Sequence, residues 1–248
     1  MSQKELRKLP LYSMFQKIPG HYDLLNKLLT WGLDKRWRTR TVKECLSSRP
    51  STILDLCTGT GDMALLLAKT SEYPVKIKAV DFSDEMLKIA RIKLADRLGK
   101  DIELLRQNAA DLELKDETFD AVTVSFAFRN MTFKNPNVKK HLSEILRVLK
   151  PGGLCFILES SQPENPIFRF FYHRYIRLLS KPLGTLISKN PSAYYYLANS
   201  MINHINSEEL TALLISEGFN NVRTIRFLSG ITVLHIASKD TGLCKGRI

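Results

Sequence analysis

The chain lacks the features that would assign it to a membrane-spanning, disulfide-rich or metal-binding class. It has no uninterrupted apolar run near the ~18 residues that a transmembrane helix needs. Its 4 cysteines are widely scattered and form no Cys-x-x-Cys pair, which favours reduced thiols over a zinc site or a disulfide framework. No set of His, Cys and carboxylate residues has metal-ligand spacing, so we expect a metal-independent protein. The first residues lack an apolar signal core, and we therefore expect a cytoplasmic protein.

Acidic residues are scarce in two segments, and these segments account for the net charge of +12 of the whole chain. Residues 1–50 hold 11 Lys and Arg against 4 Asp and Glu, and residues 165–207 hold five Lys and Arg and no acid. The remainder of the chain is balanced in charge. A surplus confined to two segments predicts an anionic partner, either nucleic acid or an acidic membrane surface.

Glycine is used sparingly, and two of the 12 glycines mark the most informative stretch. The apolar run 52–56 leads into Gly59-Thr60-Gly61 and then into a helical pattern over 63–69, which predicts a strand, a tight loop and a helix. A second apolar strand ends at Asp81, 20 residues after Gly61. In nucleotide-binding βαβ units an acid at this spacing reaches the ribose hydroxyls.

The loop lacks the third glycine of the dinucleotide fingerprint, and Asp62 begins the helix instead. An acid at that point would repel a pyrophosphate. S-adenosylmethionine (SAM) has adenosine, no phosphate and a cationic amino-acid tail, and it suits these residues, with Asp55 and Asp62 as partners for the tail. The alternative is a glycine turn and a capping acid in an ordinary α/β protein. The cofactor-binding positions predicted in this region are Asp55, Gly59, Thr60, Gly61 and Asp81.

Strand-like and helix-like runs alternate along the chain, which predicts an α/β fold. We expect a mostly parallel seven-stranded sheet with helices on both faces and an antiparallel strand pair at the C-terminal end. A helix is expected over 83–99 with Ser83 as its N-cap, and another over 138–149 that ends in a sharp turn at Lys150-Pro151-Gly152-Gly153. The later strands are expected at 102–105, 119–125, 154–158, 222–228 and 231–238, and a further helix at 208–217.

The expected domain organisation is a single domain over residues 1–240. Residues 1–50 are expected to form a helical cap and residues 163–207 a helical insertion or lid. Residues 241–248 are expected to form a flexible tail.

The segment 167–179 combines basic and aromatic residues at helical spacing. Basic side chains recur every four residues on one side, at Arg169, His173 and Arg177. Apolar side chains line another side, at Phe168, Phe171, Tyr175 and Leu178. Such a helix suits transient contact with a membrane surface. The alternative is a helix packed on its own domain or on a second subunit, as in a homodimer.

Four motifs along the chain, one of them the glycine loop already described, occur together in one family of proteins. They are Tyr22-Asp23-Leu24-Leu25-Asn26 with Gly32 and Trp37-Arg38; the loop at 55–62 with Asp81; Phe119-Asp120 with Ser125-Phe126-Ala127-Phe128-Arg129-Asn130; and 147–153 with Leu158-Glu159-Ser160. Together they resemble the class I SAM-dependent methyltransferases, whose Rossmann-like fold is then expected, and more narrowly the ubiquinone/menaquinone C-methyltransferase family. The Arg-Asn pair and the Tyr-Asp-x-x-Asn motif are the most particular to that family.

The resemblance implies methylation of a ring carbon of a prenylated quinol. Such a substrate becomes electron-rich on losing a phenolic proton, and the enzyme should stabilise the oxyanion that forms. Arg129 is the candidate for that role, and Asn130 would orient it or bind a ring oxygen. Tyr22 would close over the cofactor. The alternatives are an ion pair of Arg129 with Asp23 or Glu159, and a packing role for Tyr22.

The resemblance also implies further cofactor contacts. Asn108 and Ala109 follow the third strand, at a turn that contacts the adenine edge in resembling families, and Ser125 ends the fourth strand beneath the sulfonium. Asn108 alone could equally be a turn residue. No general base can be assigned, because the five histidines are scattered and Glu159 is only one candidate.

Two classes of methyl acceptor are therefore considered. The first is SAM-dependent C-methylation of demethylmenaquinol or of the equivalent ubiquinone-pathway benzoquinol, by a protein that visits the inner face of the membrane. The second is a SAM-dependent methyltransferase acting on RNA or another small molecule. The net charge supports RNA, but the chain has no RRM or KH motif and no Asn-Pro-Pro-Tyr motif, so nucleic acid is not the expected partner. A third reading, a SAM-fold scaffold without activity, is disfavoured by the intact loop, Asp81 and Arg129.

Overall fold

The structure, a computed structural model, describes residue 27 and residues 30–133, 135–186 and 198–241. Tyr22 and Asp23 lie outside the described residues, as do most of the expected cap and tail. Helices and strands alternate through the described chain, in this order: α1 (Asp34–Ser47), β1 (Thr52–Leu56), α2 (Asp62–Thr70), β2 (Lys76–Asp81), α3 (Asp84–Lys93), β3 (Ile102–Arg106), β4 (Phe119–Ser125), α4 (Phe128–Thr132), α5 (Val138–Val148), β5 (Leu149–Ser160), α6 (Pro166–Leu186), α7 (Ser207–Ser216), β6 (Phe219–Phe227) and β7 (Thr232–Lys239).

The seven strands form one sheet in the order β3-β2-β1-β4-β5-β7-β6. The first five are parallel, whereas β7 runs antiparallel to both β5 and β6. The predicted mostly parallel sheet with a C-terminal antiparallel pair is confirmed. The chain leaves β1 towards β2 and β3, then returns to place β4 on the other side of β1. Ligands of open α/β sheets bind at the carboxyl ends of the strands beside such a switch point.

Helices cover both faces of the sheet, because successive side chains of each strand point to opposite faces. Ile53 packs in one apolar core and Leu54 in the other. The first core holds side chains from α1, α2 and α3, and the second holds side chains from α4, α5 and α7. This double cover buries the central strands, and only their carboxyl ends and the loops that follow them are left to form a site.

Two elements differ from their predicted bounds. Helix α3 ends at Lys93 rather than near 99, because the chain turns after Leu94 towards Gly99, whose φ is +75°. Strand β5 begins at Leu149 and runs through the predicted turn at 150–153. The pairing with β4 shifts register at this point, so the Pro-Gly-Gly sequence makes a bulge within the strand.

Helix α6 confirms a helix over the segment 167–179, but its apolar residues divide differently from the prediction. Phe168 and Tyr175 pack inwards with Tyr172 and Ile176 in a third, smaller apolar cluster. A different apolar set is exposed, namely Ile167, Phe170, Phe171 and Leu178. Among the described helices, none is long and apolar enough to cross a membrane.

Candidate functional site

The glycine loop joins β1 to α2 at the carboxyl edge of the sheet. Both Gly59 and Gly61 have positive φ, at +58° and +84°. A Cβ on Gly61 would lie 3.0 Å from Leu94 Cδ1, so this glycine lets the loop pack closely against the end of α3. A Cβ on Gly59 would meet nothing within 4 Å. The loop is therefore closed on its α3 side and open above Gly59, where a ligand can approach the backbone.

Asp55 lies beneath this loop and ties it to β4. Its Oδ2 accepts a hydrogen bond from Thr58 Oγ1 at 2.5 Å, and its Oδ1 accepts one from Thr123 Oγ1 at 2.8 Å. Burial raises the pKa of Asp55 to about 6, and the two hydroxyl donors and the charge of Arg38 oppose that rise. Asp55 thus places a negative charge beneath the loop, and its two hydrogen bonds fix the loop geometry. Its contact with a cofactor tail stays a prediction.

Asp62 does not present a free carboxylate to the loop. Lys93 on α3 lies 2.8 Å from Asp62 Oδ1 and also donates to Thr60 Oγ1 at 3.0 Å. Asp62 is predicted from the sequence to bind the cationic tail, but in the structure it pairs with a lysine instead. The lysine could not be recognised from spacing, because α3 brings it to the loop from another part of the chain.

Asp81 ends β2 directly beside the loop. Its Oδ2 accepts from the Gly59 N–H at 2.9 Å, and its Oδ1 accepts from the Ser83 N–H at 2.8 Å. Burial raises the pKa of Asp81 to about 6, and these backbone donors oppose the rise. Parallel pairing of β1 and β2 explains the contact, since Leu56 is in register with Val80. The predicted ribose acid is therefore held in a fixed position at the loop.

The turn after β3 lies next to Asp81, because the Gln107 N–H donates to the Asp81 carbonyl at 3.1 Å. Asn108 Oδ1 accepts from the Ala110 N–H at 3.0 Å, which shapes the turn around Ala109. Asn108 Nδ2 is buried and has no hydrogen-bond partner in the part of the chain that the structure describes. A buried amide donor without a partner is costly, so this atom is available to a ligand acceptor such as an adenine nitrogen.

These residues fit SAM better than a dinucleotide. The open side of Gly59, the fixed carboxylate of Asp81 and the unpartnered amide of Asn108 follow one another along the carboxyl ends of β1, β2 and β3. They offer hydrogen-bond groups for an adenosine. The buried carboxylates of Asp55 and Asp81 disfavour a pyrophosphate at the same place.

Arg129, the predicted catalytic residue, forms a buried ion pair with Glu159 at the ends of β4 and β5. The two residues are 3% and 1% exposed. Arg129 Nη1 donates to Glu159 Oε1 at 3.3 Å and to Ser160 Oγ at 3.0 Å, and the Arg129 N–H donates to Glu159 Oε2 at 2.9 Å. The predicted alternative of an ion pair with Glu159 is therefore present, whereas Asp23 lies outside the described residues. Arg129 Nε and Asn130 Oδ1 are buried and have no partner among the described residues.

Two residues that the sequence analysis did not select lie near this pair. Tyr172 on α6 and His204 before α7 are 3% and 5% exposed. The charges of Arg129 and Glu159 act on both side chains. Within the described ranges, neither the Tyr172 hydroxyl nor His204 Nε2 has a hydrogen-bond partner. Burial raises the pKa of Tyr172 and lowers the pKa of His204 to about 4, so at neutral pH both side chains are uncharged.

Comparisons with known proteins show the family of the chain. The model of the ubiE/COQ5 methyltransferase family matches residues 1–239. The demethylmenaquinone methyltransferase of Staphylococcus saprophyticus is 34% identical over 239 residues, which cover 96% of this chain and 100% of that protein. The enzyme of the same name from Staphylococcus aureus strain JH9 is 33% identical over 246 residues, which cover 99% of this chain and 100% of that protein.

Solved structures show the same fold at low identity. A SAM-dependent methyltransferase from Aquifex aeolicus matches 76% of this chain and 81% of its own with a TM-score of 0.51 and 22% identity. The CurJ carbon methyltransferase matches 76% of this chain and 48% of its own with a TM-score of 0.56 and 16% identity. The predicted Rossmann-like methyltransferase fold is confirmed, and SAM is the cofactor that the family uses.

Proposed function

The chain belongs to the ubiE/COQ5 methyltransferase family and is a SAM-dependent methyltransferase, and we propose that its acceptor is a ring carbon of a prenylated quinol, demethylmenaquinol. The names of the relatives support this acceptor. The observation that carries the proposal is the buried, partly unsatisfied guanidinium of Arg129 at the carboxyl ends of β4 and β5. An arginine in that environment suits an acceptor that develops negative charge as it reacts.

Bound SAM supplies an electrophilic methyl group on a positively charged sulfur. A ring carbon is a weak nucleophile until the neighbouring phenol loses its proton, so the protein must hold the ring in line and stabilise its oxygen. Arg129 is fixed by Glu159 and Ser160 and keeps Nε for the developing oxyanion. The transferred methyl group replaces a ring hydrogen, so one proton leaves in each turnover.

The other polar groups near Arg129 suit the two oxygens of a quinol. Asn130 Oδ1 and an uncharged His204 can accept hydrogen bonds from ring hydroxyls, and the Tyr172 hydroxyl can donate or accept. Each has a buried polar atom without a partner in the described structure, and a ring oxygen would satisfy it. This set favours the reduced ring, because a quinone has no hydroxyl to donate. The role of Tyr22 over the cofactor stays a prediction.

A methyl-transfer assay tests this function. SAM labelled in its methyl group is mixed with the protein and with demethylmenaquinol in vesicles under reducing conditions. We expect label in menaquinol, and none when the same acceptor is kept oxidised. Measured SAM binding without labelled quinol, together with label in RNA that declines steeply as salt rises, would contradict the proposal and favour the nucleic-acid alternative.

The proposed acceptor also calls for contact with a membrane surface. A prenylated quinol is held in the bilayer, and α6 exposes apolar and basic side chains together. Ile167, Phe170 and Phe171 are 69%, 66% and 63% exposed, and Arg169 and Arg174 on the same helix are also exposed. Apolar side chains can enter the interface while arginines bind anionic headgroups. We therefore propose that this exposed face of α6 binds the anionic inner surface of a membrane.

Co-sedimentation with anionic vesicles tests the membrane contact. The double variant Phe170→Asp/Phe171→Asp should lose binding, because it removes apolar area and adds negative charge. Ile92→Asp is the matched control, since Ile92 is 79% exposed on α3 and lies outside the proposed surface. Equal sedimentation of the double variant and wild type would refute this surface. A loss of self-association without a loss of vesicle binding would instead assign the face to a homodimer.

A further inference from the structure

Arg38 is a buried cation at the cofactor edge that the sequence analysis gave no role of its own. It projects from α1, is 9% exposed, and donates from Nη1 to Ser125 Oγ at 2.8 Å. Its guanidinium carbon lies 5.0 Å from the centre of the Phe126 ring. Because Ser125 ends β4, Arg38 sits at the carboxyl edge of the sheet on the side of the loop opposite β2.

The carboxylates around Arg38 do not match its charge. Asp34 Oδ2 lies 3.9 Å from Arg38 Nε, which is too long for a hydrogen bond. Asp55 accepts hydroxyl hydrogen bonds from Thr58 and Thr123. Arg38 Nε is buried and, as far as the described chain extends, has no hydrogen-bond partner. A buried guanidinium is normally satisfied by the two oxygens of one carboxylate, and no carboxylate among the described residues does so here.

The order of the strands indicates which ligand group belongs there. Asn108 follows β3, Asp81 ends β2, the glycine loop follows β1 and Ser125 ends β4, in the spatial order of the sheet. A cofactor with its adenine and ribose at Asn108 and Asp81 extends its amino-acid tail past the loop towards Ser125 and Arg38. The only anionic group of SAM is the carboxylate of that tail.

We propose that Arg38 binds the carboxylate of the SAM amino-acid tail, with Ser125 holding the guanidinium in position. Arg38 then matches the anionic part of the tail, and Asp55 beneath the loop is the acid left for its cationic part, because Asp62 pairs with Lys93. This inference rests on SAM as the cofactor and not on the identity of the methyl acceptor. Its failure and that of the quinol proposal are therefore distinguishable.

Binding calorimetry with two cofactor analogues tests the assignment without any acceptor. Decarboxylated SAM lacks only the carboxylate, and 5′-methylthioadenosine lacks the amino-acid end of the tail. Wild type should bind SAM roughly 10- to 100-fold more tightly than decarboxylated SAM, the range typical of a charge-assisted hydrogen bond. Arg38→Gln should lower SAM affinity to that of decarboxylated SAM and leave 5′-methylthioadenosine binding unchanged.

Matched variants separate this role from a structural one. Arg40→Gln changes an exposed arginine of the same helix that pairs with Glu44, and it should preserve the preference for the carboxylate. Arg38→Lys keeps the charge and should retain part of the preference even if Arg38→Gln unfolds. An equal loss of affinity for all three ligands in the Arg38 variants would overturn the proposal. A wild-type protein that binds SAM and decarboxylated SAM equally would overturn it as well.

Discussion

The buried carboxylates of the cofactor half of the carboxyl edge, at β1 and β2, and the buried polar groups of the acceptor half, at β4 and β5, differ in how completely the described protein satisfies them. At β1 and β2, the carboxylates of Asp55 and Asp81 accept hydrogen bonds on both oxygens from the protein itself. At β4 and β5, buried atoms of Arg129, Asn130 and nearby Tyr172 lack partners in the described structure. The carboxylates of the cofactor half are thus preorganised, whereas Asn108, Arg38 and the groups of the acceptor half are completed by their ligands. Preorganised dipoles and charges require no rearrangement when the reacting groups arrive.

The largest effect should follow from breaking the ion pair in the acceptor half. Arg129→Ala leaves Glu159 buried without its cation, which should lower the free energy of unfolding by about 3–5 kcal/mol. The double variant Arg129→Met/Glu159→Gln removes both charges and should recover most of that stability. Urea denaturation measures both values. If the single and double variants lose equal stability, the pair does not have the structural role assigned here.

A smaller effect should follow from one carboxylate in the cofactor half. Asp81→Asn cannot accept on both oxygens from Gly59 and Ser83, so SAM affinity should fall roughly tenfold or more. Asp120→Asn is the matched control, because Asp120 binds Ser51, Thr52 and Lys150 at the opposite, amino-terminal end of the strands. Calorimetry should show near-normal SAM binding for Asp120→Asn even though it is less stable. Similar SAM affinities in the two variants would contradict the assignment of Asp81.

The pH dependence of SAM binding should come from the same half of the site. Burial raises the pKa of Asp55 and of Asp81 to about 6. Each acid therefore stabilises the folded protein in its protonated form, and this contribution to the free energy of unfolding is lost as pH rises through about 6. SAM binding, in contrast, needs the charged forms. From pH 7 to pH 5 SAM affinity should fall by roughly tenfold for each charge that binding requires. Calorimetry across that pH range measures the change in SAM affinity, which should be smaller in Asp81→Asn. A SAM affinity that does not change with pH would contradict the prediction.

The smallest effect should come from one unpartnered hydroxyl of the acceptor half. Tyr172→Phe removes a buried hydroxyl that lacks a partner within the described residues. The free energy of unfolding should therefore stay the same or rise by about 1 kcal/mol. The quinol KM should rise severalfold, because a hydrogen bond to the ring is lost. A variant that is less stable and keeps its KM would show that the hydroxyl serves the fold instead.

The sequence alone predicts much of the cofactor half and little of the acceptor half. The strand, the glycine loop and Asp81 follow one another locally, and parallel pairing then brings Asp81 to Gly59. Ser83 caps α3 as predicted, by accepting from the Met86 N–H. Local patterns suffice here, because these contacts lie within one helix turn or link the ends of neighbouring strands.

The acceptor half depends on contacts between distant segments, which no local pattern encodes. Tyr172 and His204 come to Arg129 from α6 and from the chain before α7. The pairing of Asp62 with Lys93 and the inward orientation of Phe168 depend likewise on how helices pack. A buried position on an amphipathic helix also looks like ordinary core, so the hydroxyl of Tyr172 gives no signal by itself.

The most direct test of the difference between the two halves uses the double variant Arg129→Met/Glu159→Gln. Its SAM dissociation constant and its single-turnover methyl transfer to demethylmenaquinol are measured beside those of wild type. We expect a dissociation constant within about twofold of wild type and methyl transfer at least ~100-fold slower, because only the acceptor half has lost its charge. Methyl transfer at the wild-type rate, or loss of SAM binding, would contradict the separate roles of the two halves.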